Sequence, residues 1–473
     1  MSYCGIDFGT TNTTLVYFDE LKGKCLVGDD DDYIQQPLAS IIAIKHSEGK
    51  YKVGNNVKRQ KRSLSKEYEI ISSIKTILND TSKTWKIVSH GEEKEINTVD
   101  MASLIFKDLK KNAKKQYNID IDKSVISVPV NFSSQKKLLL ENAAKKAGIQ
   151  ITKFVNEPTA AFIAHYEELK IFNNIVVFDW GGGTLDVSAI NVNKNSIKEI
   201  YTKNMYRAGD IIDKDFAKYI YKKTVKEKGL PFVAFEELEP KEYDGLIALA
   251  EEFKIKLSSM NKSKITEMCS IQGQNILISV TDEELNNIVK DIVDDSLNVL
   301  TEVILKSFKD KVDCILCVGG SSNLKYLRET LKKLYNAKLY FPDNPEWDIA
   351  DGACTIDASA SENVYMLPYN IGLKLSNGQN LNLLKKGQTL PCVRSEFKIS
   401  TTDYSKQANL IFKIGNDAEF QEIVPVLGGL DESLTIYTHI DKYLVLHIDV
   451  RNNKTKEEYN VFNYEKLEIC YNI

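Results

Sequence analysis

Two stretches decide how this sequence is read: Gly5-Ile6-Asp7-Phe8-Gly9-Thr10-Thr11-Asn12-Thr13-Thr14-Leu15-Val16 and Val177-Phe178-Asp179-Trp180-Gly181-Gly182-Gly183-Thr184-Leu185-Asp186-Val187-Ser188. Each runs from an apolar strand through an aspartate and a glycine-bearing turn to hydroxyl residues and a second apolar strand. Glycine lets backbone N–H groups approach an anion with no Cβ in the way, and successive N–H groups in such a turn form an anion-binding concavity. One copy of this plan reads equally well as a plain hairpin with a solvated Asp. Two copies point to a pair of lobes that close on a polyphosphate from both sides, with Gly9, Thr10, Thr11 and Asn12 on one and Gly181, Gly182, Gly183 and Thr184 on the other.

Three carboxylates, Asp7, Asp179 and Asp186, accompany these turns. Beside phosphate they repel the ligand unless a hard cation intervenes, and Mg2+ characteristically keeps several waters while bridging carboxylates to phosphate oxygens. They are the candidate metal shell, acting mainly through water. A glycine pair follows a third apolar run, in Val318-Gly319-Gly320-Ser321-Ser322, and precedes the helical pattern Leu324, Leu327, Leu331. Strand, glycines and helix start offer backbone against which a ribose or flat ring lies. Together the three segments read as one nucleotide site, from phosphate to base.

Outward from these segments, residues 1 to about 355 alternate strand-like and helix-like stretches, as an α/β fold requires. Ile175-Val176-Val177-Phe178 and the run from Cys314 to Val318 are continuous apolar runs, expected of strands covered on both faces. Met101, Leu104, Ile105 and Leu109 recur behind the cap candidate Thr98, and Leu285, Ile288, Val289 and Ile292 behind Thr281-Asp282-Glu283-Glu284, which predicts two capped, core-facing helices. After the Ser/Ala-rich stretch 357–363 the pattern is strands alone. Leu444, Leu446, Ile448 and Val450 face one way and Tyr443, Val445, His447 and Asp449 the other. Leu434-Thr435-Ile436-Tyr437, Asn409-Leu410-Ile411-Phe412 and Tyr459-Asn460-Val461-Phe462 repeat the theme between turns at Asp417, Gly428-Gly429 and Asn452-Asn453, so an antiparallel sandwich is expected. The predicted boundaries are 1–358 for the α/β part, 359–367 for a linker and 368–473 for the sandwich.

The chain has 473 residues, with 62 Lys+Arg against 66 Asp+Glu and a net charge of −4. That balance provides no clustered cation field for nucleic acid or anionic lipid. No apolar run approaches the roughly 20 residues of a membrane helix. Met1-Ser2-Tyr3-Cys4 leads straight into a strand with no basic leader, so a cytoplasmic location with no membrane association is expected. The eight cysteines are too scattered for a disulfide framework. Cys314 and Cys317 have redox-pair spacing, but in a pleated strand they point to opposite faces and read as core. His46, His90, His165, His439 and His447 show no ligand spacing.

The two hairpins, Val128-Pro129-Val130-Asn131-Phe132, Asn156-Glu157-Pro158-Thr159-Ala160-Ala161 and the Val-Gly-Gly-Ser segment together resemble the ATPase of the seventy-kilodalton heat-shock chaperones. The resemblance continues more weakly through Leu367-Pro368-Tyr369-Asn370-Ile371-Gly372 and 444–453. It implies an α/β, actin-like, two-lobed ATPase with ATP or ADP in the cleft, Mg2+ and K+ as ions, and an all-β sandwich that binds polypeptide. Lys75, in Ser72-Ser73-Ile74-Lys75, would be the cation near the γ-phosphate and attacking water; the competing reading is a surface lysine on an amphipathic turn. Glu157 would couple hydrolysis to lobe closure, Pro129 would act as a switch, and Asp179 and Thr184 would orient the nucleophile. Gly209 would approach the ribose, with Gly319, Gly320 and Ser321 beside it, and Glu251, Lys254 and Ser258 would hold adenosine. Spacings of three and four put that last trio on one helix face, which is also how a solvated charged face looks.

Departures from the family pattern qualify its partners. Asn323 stands where relatives place an arginine that stacks on adenine, and Lys153 and Lys137 replace two further arginines. The linker is reduced to Val364-Tyr365-Met366-Leu367, a departure from what a J-domain cochaperone docks on; a nucleotide exchange factor is the family's other expected partner. The sequence stops at Ile473 where relatives continue into a helical lid, so a lidless member is expected. The leading expectation is an ATP-hydrolysing chaperone that controls polypeptide binding by its sandwich. The alternative is a nucleotide-gated module for one dedicated protein partner. A small-metabolite kinase on the same superfamily fold fits the all-β tail and the Asn-Glu-Pro motif less well.

Overall fold

Duplication is visible first in the sheets. In a computed structural model, described at residues 2–29, 36–89, 92–193, 196–259, 263–358, 365–415 and 418–472, one sheet runs Gln150–Asn156, Lys123–Val128, Ser2–Phe8, Asn12–Asp19, Gly23–Val27. A second repeats that plan as Lys338–Tyr340, Cys314–Val318, Asn174–Trp180, Leu185–Asn193, Ser196–Met205. In both, the lead strand is parallel to its inner neighbours and antiparallel to the strand that follows its glycine turn. The register aligns the motif residues: Asp7 lies opposite Thr14 and beside Ser127, while Asp179 lies opposite Asp186 and beside Val318. The expected linker residues 359–364, His90 and the Asp417 turn lie outside the described residues.

The chain forms two compact units, one of residues 1–131, 139–191 and 200–358, the other of 132–138, 192–199 and 359–473. In the first, helix Glu157–Ala164 leaves the first sheet for the second and helix Asp348–Ala358 returns. These helices cross backbone to backbone. A Cβ on Gly352 would lie 1.8 Å from the Ala160 carbonyl oxygen, and one on Gly5 would lie 2.2 Å from that of Ala350. The core on the second sheet holds Trp180, Phe216, Tyr221 and Phe253 fully buried, and Phe8 stacks on Phe106 on the first at 5.0 Å. Cys314 and Cys317 are buried in their strand, and burial pushes the Cys314 thiol up to about 12.

In the second unit, two antiparallel four-stranded sheets have the orders Asn380–Leu384, Ile371–Lys374, Gln407–Ile414, Ala418–Pro425 and Cys392–Ser400, Ser433–Ile440, Leu446–Asn452, Glu458–Tyr464. Leu373, Phe412 and Ile414 from one and Ile436, Ile440, Leu446, Ile448 and Val450 from the other supply buried apolar side chains. Tyr365–Met366, the described end of the expected linker, pairs with Leu390 and Thr389 on one side and with Tyr471 and Cys470 on the other.

Two local expectations are corrected. The helix Thr98–Tyr117 is capped by Asn97, whose side chain accepts from Val99 and Asp100 N–H while Asp100 returns a bond to Asn97 N–H; the Thr98 hydroxyl is buried and donates to Leu78 O at 2.8 Å. Asn is the stronger cap, and Thr98 is used inward. The strand expected from Tyr443 begins at Leu446, because Asp441 accepts from the N–H groups of Tyr443 and Val445 and Leu444 sits at φ +67. An aspartate that bonds its own downstream backbone makes a turn, and the ladder starts after it. Thr281 and Glu284, by contrast, form the expected capping box.

Gly352 and Gly245 are opposite tests of the packing. Gly352→Ala should destabilise the chain by about 3 kcal/mol, because neither contacting backbone can move freely. Nothing lies within 4 Å of a Cβ at Gly245, inside helix Pro240–Ser259, so Gly245→Ala should stabilise by about 0.5–1 kcal/mol. Urea midpoints of the nucleotide-free chain measure both.

Candidate nucleotide site

The two glycine turns face each other. A Cβ on Gly182 would lie 2.7 Å from Thr11 Cγ2, and one on Gly183 2.8 Å from Thr11 Oγ1. Each turn is held by its own backbone: Gly181 N–H donates to Thr184 O at 3.0 Å, and a Cβ on Gly9 would meet Asn12 O at 2.2 Å. A third segment is tied to the second turn, for Gly209 and Asp210 N–H donate to the carbonyls of Gly181 and Gly182, and the Ser321 hydroxyl donates to Gly181 O at 2.8 Å. Gly9, Thr10, Thr11, Asn12, Gly181, Gly182, Gly183, Gly209 and Ser321 are thus brought to one cleft. Gly320 stands beside Ser321 with open space at its Cβ position.

Below the turns lies the charged floor. Lys75 Nζ donates to Glu157 Oε1 at 2.6 Å, and both side chains are buried. Ser73, two residues earlier, holds φ +56, a left-handed conformation that turns the short helix Ile74–Ile77. A non-glycine residue there costs on the order of 1–3 kcal/mol and persists only where the surroundings enforce it. Burial pushes the Asp7 and Asp186 carboxyls up to about 6, with Lys75 opposing and Glu157 adding to it. Asp179 is held well above the usual range by burial and then by Asp186, Glu157 and Asp7. For Lys75 burial works downward, but Glu157, Asp7 and Asp186 outweigh it and keep the ammonium above its ordinary value. Ser127 donates to Asp7 Oδ1 at 2.7 Å.

A hydrated divalent cation fits this floor. Four carboxylates crowd around the Lys75 ammonium, and a cation offsets the burial and the mutual repulsion that raise three of them. Among the described residues no three potential ligands converge on one point, so the set suits an ion that keeps its own water shell.

Beyond the turns a cavity of about 290 Å³ holds the expected adenosine residues. Glu251, Lys254 and Ser258 line it from helix Pro240–Ser259, together with Asn323. Lys254 pairs with Asp213 at 2.6 Å, and Glu251 with Lys58 at 2.7 Å. Burial would raise Glu251, yet Lys58 and Lys254 hold it below its ordinary value. The Ser258 hydroxyl is buried with no hydrogen-bond partner among the described residues, as a ligand-facing hydroxyl would be. Gly319 shapes this wall from behind: at φ +79, its Cβ would meet Trp180 backbone at 2.6 Å.

Sequence reading missed Lys58, Arg59, Asp210, Asp213, Gln36 and Glu346, all of which line the same cavity. Lys58 and Arg59 sit in a basic run that reads as a solvated face, and the acid that recruits Lys58 is 193 residues away. Asp210 and Asp213 had a usable signal, since they follow Gly209 at helical spacing.

Fold and site together define a two-lobed nucleotide-binding protein with an attached β-sandwich. The family profile described as Hsp70 protein matches residues 3–422, and the chain belongs to the Hsp70 family. Its fold is therefore the actin-like two-lobed ATPase fold followed by a β-sandwich, and its family is one of ATP-binding chaperones. The chain is similar to "Chaperone protein DnaK" of Mycoplasma mycoides subsp. mycoides SC, at 25% identity over 483 residues, covering 96% of this chain and 78% of that protein. No helix among the described residues is long and apolar enough to cross a membrane.

The raised carboxyls make the stability of this floor pH-sensitive. Asp7 and Asp186 stand at about 6 when folded against 3.8 for a free carboxyl, so the folded chain binds more protons across that window. Stability is then lost as pH rises through it, and stays lost above it. Asp186→Asn should raise the melting temperature of the nucleotide-free, EDTA-treated chain by roughly a few degrees at pH 7.5. The difference from wild type should shrink to nothing near pH 4; a difference independent of pH would show that charge is not the cause.

Proposed function

We propose that this chain hydrolyses ATP in its N-terminal part, residues 1–358, and uses the nucleotide state to control polypeptide binding by its sandwich, residues 368–473, across a linker at 359–367. The observation that carries the reading is the pair of facing glycine turns above a floor where Lys75 meets Glu157. When bound, Mg2+ supplies charge neutralisation at the phosphates. Asp7, Asp179 and Asp186 would hold its waters, and the N–H groups of residues 9–12 and 182–184 would receive the phosphate oxygens. Lys75 stabilises charge developing on the transferred group, while Asp179 and Thr184 orient the attacking water; phosphoryl transfer depends almost entirely on such positioning and electrostatics. Glu157 keeps the ammonium aimed by its 2.6 Å bond. Glu251, Lys254 and Ser258 hold the nucleoside, with Gly209, Gly319, Gly320 and Ser321 beside the ribose. K+ is a further ion of the site.

Polypeptide is held by strand-like backbone hydrogen bonds, for which Asn380–Leu384 and Cys392–Ser400 are end strands of their sheets. A J-domain cochaperone and an exchange factor are the partners that family membership brings forward, and the cytoplasm is the proposed location.

Lys75→Ala should lower single-turnover hydrolysis by roughly 10²–10³, by analogy with removing one preorganised donor, while ATP affinity changes much less. Unchanged turnover would remove Lys75 from the chemistry. Dissociation of a fluorescent unfolded peptide, followed by anisotropy, should be faster with ATP than with ADP. Equal rates, with ATP still hydrolysed, would favour a nucleotide-gated module for one dedicated partner instead.

A further inference from the structure

We infer that Asn323 reads the nucleotide base as a hydrogen-bond donor and that Arg328 is the positioning residue that fixes which end of its amide faces the base; the inference rests on the nucleotide reading above. After the tight turn at Gly319, residues Gly320–Asn323 form a single 3₁₀ turn. It is closed by Ser322 N–H to Gly319 O at 3.1 Å, Leu324 N–H to Ser321 O at 3.2 Å and the Ser322 hydroxyl to Gly319 O at 2.7 Å. This rigid turn sets Asn323 and Leu324 on the wall of the 290 Å³ cavity. Pro37, Ile255 and Leu324 give that cavity apolar faces suited to a flat ring.

Arg328, on the following helix Lys325–Leu334, places its guanidinium 4.6 Å from the centre of the Phe341 ring. Its Nε donates to Ser322 O at 3.1 Å, and a terminal nitrogen donates to Asn323 Oδ1. Arginine carries donors only, so only the oxygen of the Asn323 amide can meet it. The usual ambiguity between the two ends of an amide is thereby removed. Oδ1 is committed to Arg328, and the two N–H bonds of Nδ2 are the group left for the cavity. A purine answers such a donor with a ring nitrogen. A stacked guanidinium would hold any flat base, whereas a donor demands an acceptor at one position.

The bland competitor is that Arg328 caps a carbonyl and packs on Phe341, with Asn323 as a bystander. It predicts lost stability with no change in base preference. Calorimetry on the full chain separates the two, using Mg-ATP and its 1-deaza, 3-deaza and 7-deaza analogues. At least one analogue should bind wild type about tenfold more weakly than ATP, the size of one missing hydrogen bond to a partly buried donor. Asn323→Asp keeps the bond to Arg328 but turns the donor into an acceptor. It should cost about tenfold or more in ATP affinity and erase that discrimination. Arg328→Met preserves the packing on Phe341 while freeing the amide to flip, so discrimination should shrink, and Arg328→Lys should restore part of it. If all three analogues match ATP on wild type, which needs no variant to fold, the inference is overturned and the nucleotide site stands. The same holds if Asn323→Asp leaves affinity and ratios unchanged. If wild type binds no ATP, the nucleotide reading fails and this one with it.

Discussion

Four acidic side chains gathered around one ammonium is the constraint from which the rest of the first unit follows. Asp179 and Asp186 are direct cross-strand partners, an arrangement that destabilises a sheet when both are charged. Burial adds to the repulsion, and the Lys75–Glu157 pair, itself buried, contributes little net stability because desolvation offsets most of its attraction. The site is therefore assembled against its own electrostatics. What holds it is elsewhere: parallel and antiparallel ladders on both sides of each lead strand, and an apolar core in which Trp180, Phe178 and Phe253 are fully buried. A cation placed among these carboxylates would offset the repulsion that the surrounding packing holds in place.

How much of this was legible in the sequence follows from the range of the interactions. The hairpins could be read because their geometry is carried by contiguous backbone: strand, Asp, glycines and hydroxyls leave a local signature, and its repetition disclosed two sheets of the same plan. Glu251, Lys254 and Ser258 could be grouped for a similar reason, since one helix face carries all three and the structure sets them on the wall of one cavity. Lys58 could not, because it is defined by a partner from a distant segment, Glu251, and nothing in its own neighbourhood distinguishes it from a solvated charge. The strand expected at Tyr443 failed for the opposite reason. There a local interaction, the Asp441 carboxylate on two nearby N–H groups, overrode an apolar alternation that extended too far.

The contacts that join the lobes of the first unit differ greatly in strength. At the helix crossing, Gly352 lies against Ala160 and Gly5 against Ala350, backbone on backbone. Such contacts neither slide nor open without breaking close packing, and interiors packed to crystal density tolerate almost no such change. Across the cleft mouth the ties include Lys58 to Glu251, a pair with 27% and 30% side-chain exposure, and the buried Asp244 carboxylate, which accepts from the N–H groups of Arg62 and Ser63 and from the Ser63 hydroxyl. A partly exposed pair is worth about 1 kcal/mol or less. The ion pair is thus the weakest of these ties, and the helix crossing is the tightest. Because Glu157 heads the helix that carries Ala160, the backbone contact that locks this crossing also fixes the residue that holds Lys75.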